Sequence, residues 1–242
     1  MTKFYRKIRY DLMEKNITRK YLKYAIGEIV LVVIGILIAL SINNLNEKRK
    51  DIDLEQKLLK NLVENIEHNC RQLESRINSI AHYRKYGGVI ISAIENKLSY
   101  HDSLENYFHL GLMNTGNIRL SGVGYEAIKN VGLEIIRNEM LKKEIMIFFE
   151  EIQPEFHASL KWEQVDAADR DKFIDEHFIQ SPKDRVGVKY TPFDADKLFS
   201  DRYFIAVIYK TDLRREYFSM ILENHLNDSQ ELLKAVKMEL NE

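Results

Sequence analysis

The feature that most constrains this chain is an apolar run over residues 25–42, AIGEIVLVVIGILIALSI, in which Glu28 is the only ionisable residue. In an α-helix these 18 residues would span about 27 Å, close to the roughly 30 Å hydrocarbon core of a bilayer. A buried helix of a soluble protein keeps a polar face, and residues 29–40 have none. The run therefore predicts one transmembrane helix.

A cleavable signal peptide is the main alternative for this run, because residues 39–41, Ala-Leu-Ser, loosely imitate a cleavage site. The preceding 24 residues are longer than a usual basic n-region, which favours a permanent anchor. They hold eight cations and two anions, and this excess predicts a cytoplasmic N-terminus with residues 43–242 across the membrane. The cations expected to set topology or contact anionic lipid include Lys3, Arg6, Lys7, Arg9, Arg19, Lys20 and Lys23.

Residues 1–24 form a basic cytoplasmic leader in this scheme, and two interpretations of its structure remain open. Phe4, Ile8 and Leu12 recur in steps of four among the cations, as in an amphipathic helix lying on anionic lipid. A partly disordered basic tail that only sets topology accounts for the same residues.

Residues 43–242 predict a helical, bundle-like extracytoplasmic domain, so the fold class is all-α. Ten Gly and three Pro are few for an all-β chain of 242 residues. Apolar residues at helical spacing predict two long helices packed antiparallel. These are Leu54, Leu58, Leu62, Ile66, Leu73, Ile77 and Ile80 in the first helix, and Phe218, Leu222, Leu226, Leu233, Val236 and Leu240, with Ser229, in the last.

Glycine and proline predict the interruptions between these helices. The Gly87-Gly88 pair predicts a break in the first helix, followed by a separate helix over 89–98. Residues 111–132 are the Gly-richest part of the chain and predict loops and short helices. Residues 180–194, with Pro182, Gly187 and Pro192, are interpreted as a linker.

The stretch from residue 20 to 44, KYLKYAIGEIVLVVIGILIALSINN, closely resembles the signature of an uncharacterised family of Gram-negative bacterial single-pass membrane proteins. Its members carry a basic, aromatic-rich leader, here KFYRKIR, and a YAIGEI-x-LVVIGILIAL core. Residues 124–137, GYEAIKNVGLEIIR, are similar to a second recurrent stretch of that family. Ser41 and Leu45 depart from it, since relatives usually carry Gln and Trp there. The resemblance implies an inner-membrane location with a periplasmic C-terminal domain, and it implies no activity.

Glu28 is the first candidate for a functional residue, because a carboxylate inside hydrocarbon is costly. It lies roughly 8 Å from the centre of the predicted span. Gly35 and Ala39 follow seven and eleven positions later, within about 20° of Glu28 on a helical wheel. Together they predict a helix-association stripe, with Gly35 and Ala39 as a small-xxx-small pair. A neutral or snorkelling Glu near the cytoplasmic boundary is the alternative.

Other chemical motifs are weak. Residues 122–127, GVGYEA, match G-x-G-x-x-A, but the preceding residues 117–120 are too short and polar for the buried strand that a dinucleotide site requires. None of the seven histidines completes H-E-x-x-H. The single cysteine, Cys70, excludes an intramolecular disulfide, and balanced charge (36 Lys and Arg, 37 Asp and Glu) gives no sign of nucleic-acid binding. The sequence thus predicts no catalytic residue, cofactor or metal.

Two functions from different classes fit these features. The first is a structural or interaction module that presents a helical periplasmic domain and associates with itself or another protein. The second is an accessory subunit of a transport or energy-coupling complex that uses Glu28. The bilayer is a partner in both.

Overall fold

The computed structural model of this chain describes residues 17–112, 118–182 and 188–241. The chain forms two compact units, Met1–Glu55 and Gln56–Glu242. Residues 1–16, which carry Lys3, Arg6, Lys7 and Arg9, lie outside the described residues, so both interpretations of the leader stay predictions.

Helices dominate the described chain, and the all-α prediction is confirmed. The helices are α1 (Ile17–Glu95), α2 (Glu105–Leu112), α3 (Val123–Val131), α4 (Glu139–Ile147), α5 (Gln153–Ser159), α6 (Lys161–His177), α7 (Ala195–Leu198) and α8 (Arg202–Leu240). Short 3-10 turns cover Asp102–Leu104 and Leu133–Ile135, and a π-helical turn, Phe148–Ile152, joins α4 to α5. Strands β1 (Phe178–Pro182) and β2 (Val188–Pro192) pair as an antiparallel hairpin.

The two long helices of the second unit pack antiparallel, as the sequence predicts. The Tyr209 hydroxyl near the start of α8 donates to Glu95 Oε1 at the end of α1, at 2.8 Å. Lys237 Nζ near the end of α8 lies 2.6 Å from Glu67 Oε1, much earlier in α1. The start of α8 therefore contacts the end of α1, and the end of α8 contacts an earlier part of α1. This is the antiparallel arrangement of neighbouring helices in a bundle.

The core of this unit lies along the predicted stripe of α1. Leu62, Ile66, Leu73 and Ile80 are fully buried, whereas Leu54 at the start of the stripe is exposed. They pack in two of three apolar clusters, one with residues of α3, α4 and α8, and the other with α5 and α8. Burying each such side chain contributes roughly 1.5–3 kcal/mol, so this face accounts for the position of α1 in the bundle.

The predicted break at Gly87-Gly88 is wrong, because α1 continues without interruption to Glu95. Gly87 instead faces α2 at close range. A Cβ atom added to Gly111 would lie 2.7 Å from Ile90 Cδ1 and 3.4 Å from the Gly87 Cα. These glycines let two helices approach each other, a tertiary reason that local propensity does not reveal.

The segment interpreted as a linker, residues 180–194, forms most of the β-hairpin instead. Phe178 of β1 and Tyr190 of β2 are buried in the third apolar cluster, which is rich in aromatic residues. Pro182 and Pro192 stand at strand ends, where a missing N–H is tolerated. Residues 183–187 between the strands lie outside the described residues. Proline thus marks the last residue of each strand here, and an aromatic core covers one face of the two short strands.

Candidate functional site

The apolar run of α1 is the most unusual surface in the described chain. The run lies in a helix long and apolar enough to cross a membrane, and none of the most apolar 18-residue window is buried inside the protein. Every residue from 25 to 50 is exposed, and the exposed fraction of Leu31 reaches 74 %. Large apolar side chains exposed on all sides of a helix indicate an apolar surrounding, because each would lose roughly 1.5–3 kcal/mol of burial energy in water. By length and composition, the run is a candidate membrane span.

Glu28, Gly35 and Ala39 are exposed, as is every other residue of the run. A Cβ atom added to Gly35 would meet nothing within 4 Å, so a small-residue notch is open at that point. The Ser41 hydroxyl donates to the Leu37 carbonyl at 2.8 Å, which satisfies this polar group within its own helix. Glu28 is the only ionisable residue of the run. Its role in helix association stays a prediction.

The cations expected at the cytoplasmic end are only partly described. Lys23 is exposed at the start of the apolar run. Arg19 and Lys20 belong to the first turns of α1, which begins at Ile17. The helix thus extends into the basic region, and the predicted lipid contacts of these cations stay predictions.

The G-x-G-x-x-A match serves helix packing in this structure. Gly124 in α3 lies so close to α1 that an added Cβ would sit 2.9 Å from the Leu62 Cα. Its N–H donates to Asn65 Oδ1 of α1 at 3.2 Å. The segment that precedes α3 from residue 118 is irregular rather than a strand, so the context of a dinucleotide site is not found there.

Asn69 of α1 anchors the same loop, and the sequence analysis missed it. Its Oδ1 accepts the Ser121 N–H at 2.9 Å, and its Nδ2 donates to the Ser121 carbonyl at 2.8 Å. Gly122 is the N-cap residue of the helix that follows this loop. The only available signal was a polar residue three positions after buried Ile66, on the apolar face of α1.

Tyr125 of α3 connects this motif to the π-helical turn. Its hydroxyl donates to Glu150 Oε1 at 2.6 Å, and its ring stacks on Phe149 with 4.8 Å between centroids. This hydrogen bond and nearby Lys129 lower the pKa of Glu150. The GYEAI stretch is thus a packing element between α1 and the π-helical turn.

His225 is the most unusual buried side chain of the helical unit. It lies on α8 with 3 % of its surface exposed, between the rings of Phe156 (4.1 Å) and Phe148 (5.4 Å). Neither ring nitrogen has a hydrogen-bond partner in the described part of the chain. Burial, and secondarily His157, lowers the pKa of His225 to about 4, so the ring is neutral at ordinary pH.

The sequence analysis placed Leu226, not His225, in the buried stripe of α8. The structure buries Phe218, Leu222, His225, Ser229, Leu232 and Val236, while Leu226, Leu233 and Leu240 are only partly buried. The predicted and the observed stripes both have helical spacing. They differ by one position at two places, where His225 and Leu232 are buried instead of Leu226 and Leu233. Hydropathy favours Leu226 over His225, whereas in the structure His225 is buried between the rings of Phe148 and Phe156.

Arg215 of α8 is a second buried polar group with a structural role. Its guanidinium donates to the carbonyls of Gly111 (2.8 Å) and Leu110 (3.0 Å) at the C-terminal end of α2, and to Tyr83 O (3.2 Å). The carbonyls of Leu110 and Gly111 lie in the last turn of α2, where they lack partners within the helix, so Arg215 joins the end of α2 to α1 and α8.

The described residues form neither a metal-binding cluster nor a site with a reactive thiol. No group of three or more His, Cys, Asp or Glu that could hold a metal ion occurs there. Cys70 is buried, as expected, and burial together with Glu74 and Glu67 raises the pKa of its thiol. A raised pKa disfavours the reactive thiolate, which fits a packing role.

Residues 28–104 match the model of a family of unknown function (DUF6090). The matched segment begins inside the apolar run and ends with the 3-10 turn before α2. The match is consistent with the resemblance to an uncharacterised family, and it assigns no activity. No curated protein and no solved structure matches this chain.

Proposed function

We propose that this chain is a single-pass protein of the bacterial inner membrane, with a cytoplasmic N-terminus and a periplasmic helical domain over residues 43–242. The observation that carries the proposal is the exposure of the whole apolar run, residues 25–42, on α1. The excess of cations before the run supports the orientation. The helical domain is then a structural or interaction module held at the membrane.

An exposed strip on α8 supports the interaction role. Leu213, Tyr217 and Met220 follow one another at helical spacing, with exposed fractions of 67 %, 58 % and 48 %. They line a shallow cavity together with Arg84 and Glu216, which pair at 3.4 Å. An apolar centre containing Tyr and Met, surrounded by charges, has the composition of a protein interface. A second copy of the chain and a different protein are both suitable partners.

Membrane integration and orientation are tested on the full chain in its native membranes. We expect the protein to resist alkaline extraction and to keep residues 1–42, as measured by intact mass. Added protease should digest the helical domain only after the outer membrane is opened. Loss of residues 1–42 would identify a cleaved signal and refute the anchor.

The interaction role is tested by gentle purification from the same membranes, followed by measurement of mass and composition. A homo-oligomer or a complex with another envelope protein is expected. A monomer at native abundance, with no bound protein, would contradict the module.

The second candidate, an accessory subunit of a transport or energy-coupling complex, is favoured by one observation. Glu28 is a carboxylate in the otherwise apolar and fully exposed run of residues 25–42, and such groups commonly carry function. Under this proposal the purified complex contains a stoichiometric polytopic partner. Glu28→Gln then abolishes the activity of that complex and leaves its assembly intact.

A matched control separates the two candidates. Glu64→Gln makes the same change at an exposed position of α1 in the helical unit. In a purely structural role, Glu28→Gln either behaves like Glu64→Gln or only weakens helix association. Loss of activity in Glu28→Gln alone would select the accessory subunit.

A further inference from the structure

A basic groove lies on the helical unit and is not used by the proposed function. It has a volume of about 500 Å³ and is formed by α1, from His68 to Ser79, and by Ile118 and Arg119 of the segment before α3. This volume lies within the range of small-molecule sites, roughly 300–1,000 Å³. The groove therefore has room for a ligand of a few tens of atoms at most.

The charged residues that line the groove are all arginines, so its charge is positive. Arg71, Arg76 and Arg119 line it, and none of the described residues that line it carries a carboxylate. Glu67 on the same helix is engaged by Lys237 at 2.6 Å. Three guanidinium groups around one groove create a positive potential that attracts anions and raises their local concentration.

Two of the three guanidinium groups have no counter-ion among the residues that the structure describes. Arg71 and Arg119 are exposed and make no hydrogen bond or ion pair with any residue that the structure describes. Elsewhere in this unit the arginine at position 84 pairs with Asp212 at 3.0 Å. The donors of Arg71 and Arg119 are therefore available to a ligand.

Neutral donors complete the lining. Gln72 Nε2 and His68 Nε2 lie 2.6 Å apart, and when the amide donates, the neutral imidazole carries its proton on Nδ1. Ser75 adds a hydroxyl, and buried Ile118 adds an apolar contact. This combination suits an anionic group with an organic body.

We propose that this groove binds the phosphate group of a small phosphate-bearing ligand. The planar fork of arginine donates two parallel hydrogen bonds to phosphate oxygens, and such charge-assisted bonds are stronger than neutral ones. A doubly charged phosphate gains more from several guanidinium groups than a single carboxylate does. The neighbouring cavity shares Arg71 with this groove and is also lined by Glu74 and His82, so its charge is mixed. Arg119 lines only the groove without a described carboxylate, and we therefore place the phosphate in that groove.

The test is calorimetric titration of the full chain in an uncharged maltoside detergent. Three probes distinguish the sources of the phosphate: inorganic phosphate, glycerol 3-phosphate as a monoester, and glycerophosphoglycerol as a lipid-headgroup diester. The variant Arg71→Gln/Arg119→Gln removes two of the donors. Arg202→Gln changes an exposed arginine at the start of α8 and is the matched control. Thermal unfolding of each variant verifies that the domain remains folded.

We expect saturable binding of at least one probe, weakened about tenfold or more in the double variant because two charge-assisted contacts are lost. Binding by Arg202→Gln should equal that of the unchanged chain. The tightest probe identifies the source: the free ion, a phosphomonoester or a lipid headgroup. The proposal is overturned if no probe binds at about 10 mM, or if the double variant binds as tightly as Arg202→Gln. It does not depend on residues 25–42 spanning a membrane.

Discussion

Residues 25–42 and residues 58–80 belong to the same helix, α1, but they differ in which side chains are exposed and which are buried. In the first region every side chain is exposed, although nearly all are apolar. In the second, one apolar stripe is buried against other helices, while most of the intervening positions are polar and partly or fully exposed. Both regions are helical, so they differ in how apolar residues are distributed around the axis. Apolar residues on all sides suit a lipid environment, and a single apolar stripe suits packing against a protein core.

The comparison predicts its largest effect for charge inserted into the apolar circumference. Ile34→Arg/Leu37→Arg should abolish membrane integration, because each Arg near the centre of a span costs about 2.5–3.5 kcal/mol. Val131→Arg, at an exposed position outside the run, is the control. Alkaline extraction of both variants measures the effect. Unchanged integration of the double variant would show that the run does not lie in lipid.

Shortening one leucine in each region should affect the stability of the helical unit very differently. Leu62 is fully buried and Leu31 is exposed. We expect Leu62→Ala to lower the free energy of unfolding by about 2–5 kcal/mol, because it removes buried contacts and leaves a cavity. Leu31→Ala should leave that free energy within about 0.5 kcal/mol. Urea unfolding followed by circular dichroism in detergent compares them, and equal losses would break the distinction.

A change of pH acts on the core through His225. Its pKa is about 4 in the folded chain and near 6.5 when solvated. The unfolded chain then binds a proton that the folded chain does not, so stability rises with pH between these values. Acidification from pH 7 to pH 5 should cost about 2 kcal/mol through this residue.

The variant His225→Phe isolates this contribution, since other groups titrate in the same range. Phe keeps the ring between Phe148 and Phe156 and cannot be protonated. The loss of unfolding free energy between pH 7 and pH 5 should be smaller in the variant by about 2 kcal/mol. An identical loss in both proteins would mean that the imidazole reaches solvent.

We expect the smallest difference in stability between the two regions for substitutions of glycine. Gly124→Ala should destabilise the helical unit by about 1–3 kcal/mol, because its new Cβ would meet α1 backbone. Gly35→Ala lies in open space and should leave the unfolding of that unit unchanged. Thermal unfolding measures both. A stable Gly124→Ala protein would show that α3 can move away from α1 at little cost.

Sequence reasoning worked where the signal is local. The helical stripe through Leu62, Ile66 and Leu73 predicted the buried face of α1, and this prediction is confirmed. It failed at Gly87-Gly88 and at residues 180–194, where glycine and proline were interpreted without their tertiary partners. For the candidate span, composition alone identified residues 25–42, because a membrane-spanning helix is recognised by its length and apolar composition and requires no partner residue. The role of Glu28 stays a prediction.

The sequence by itself determined an apolar helix, a basic region before it, and a helical domain after it, since each depends on composition or on a period of a few residues. Only the tertiary structure decided that Gly124 permits close packing, that His225 enters the core and that Arg71 and Arg119 line one groove. These roles join residues tens of positions apart in the chain. The physical reason is that periodicity reports which face of a helix is apolar, whereas contacts between helices depend on how those faces meet.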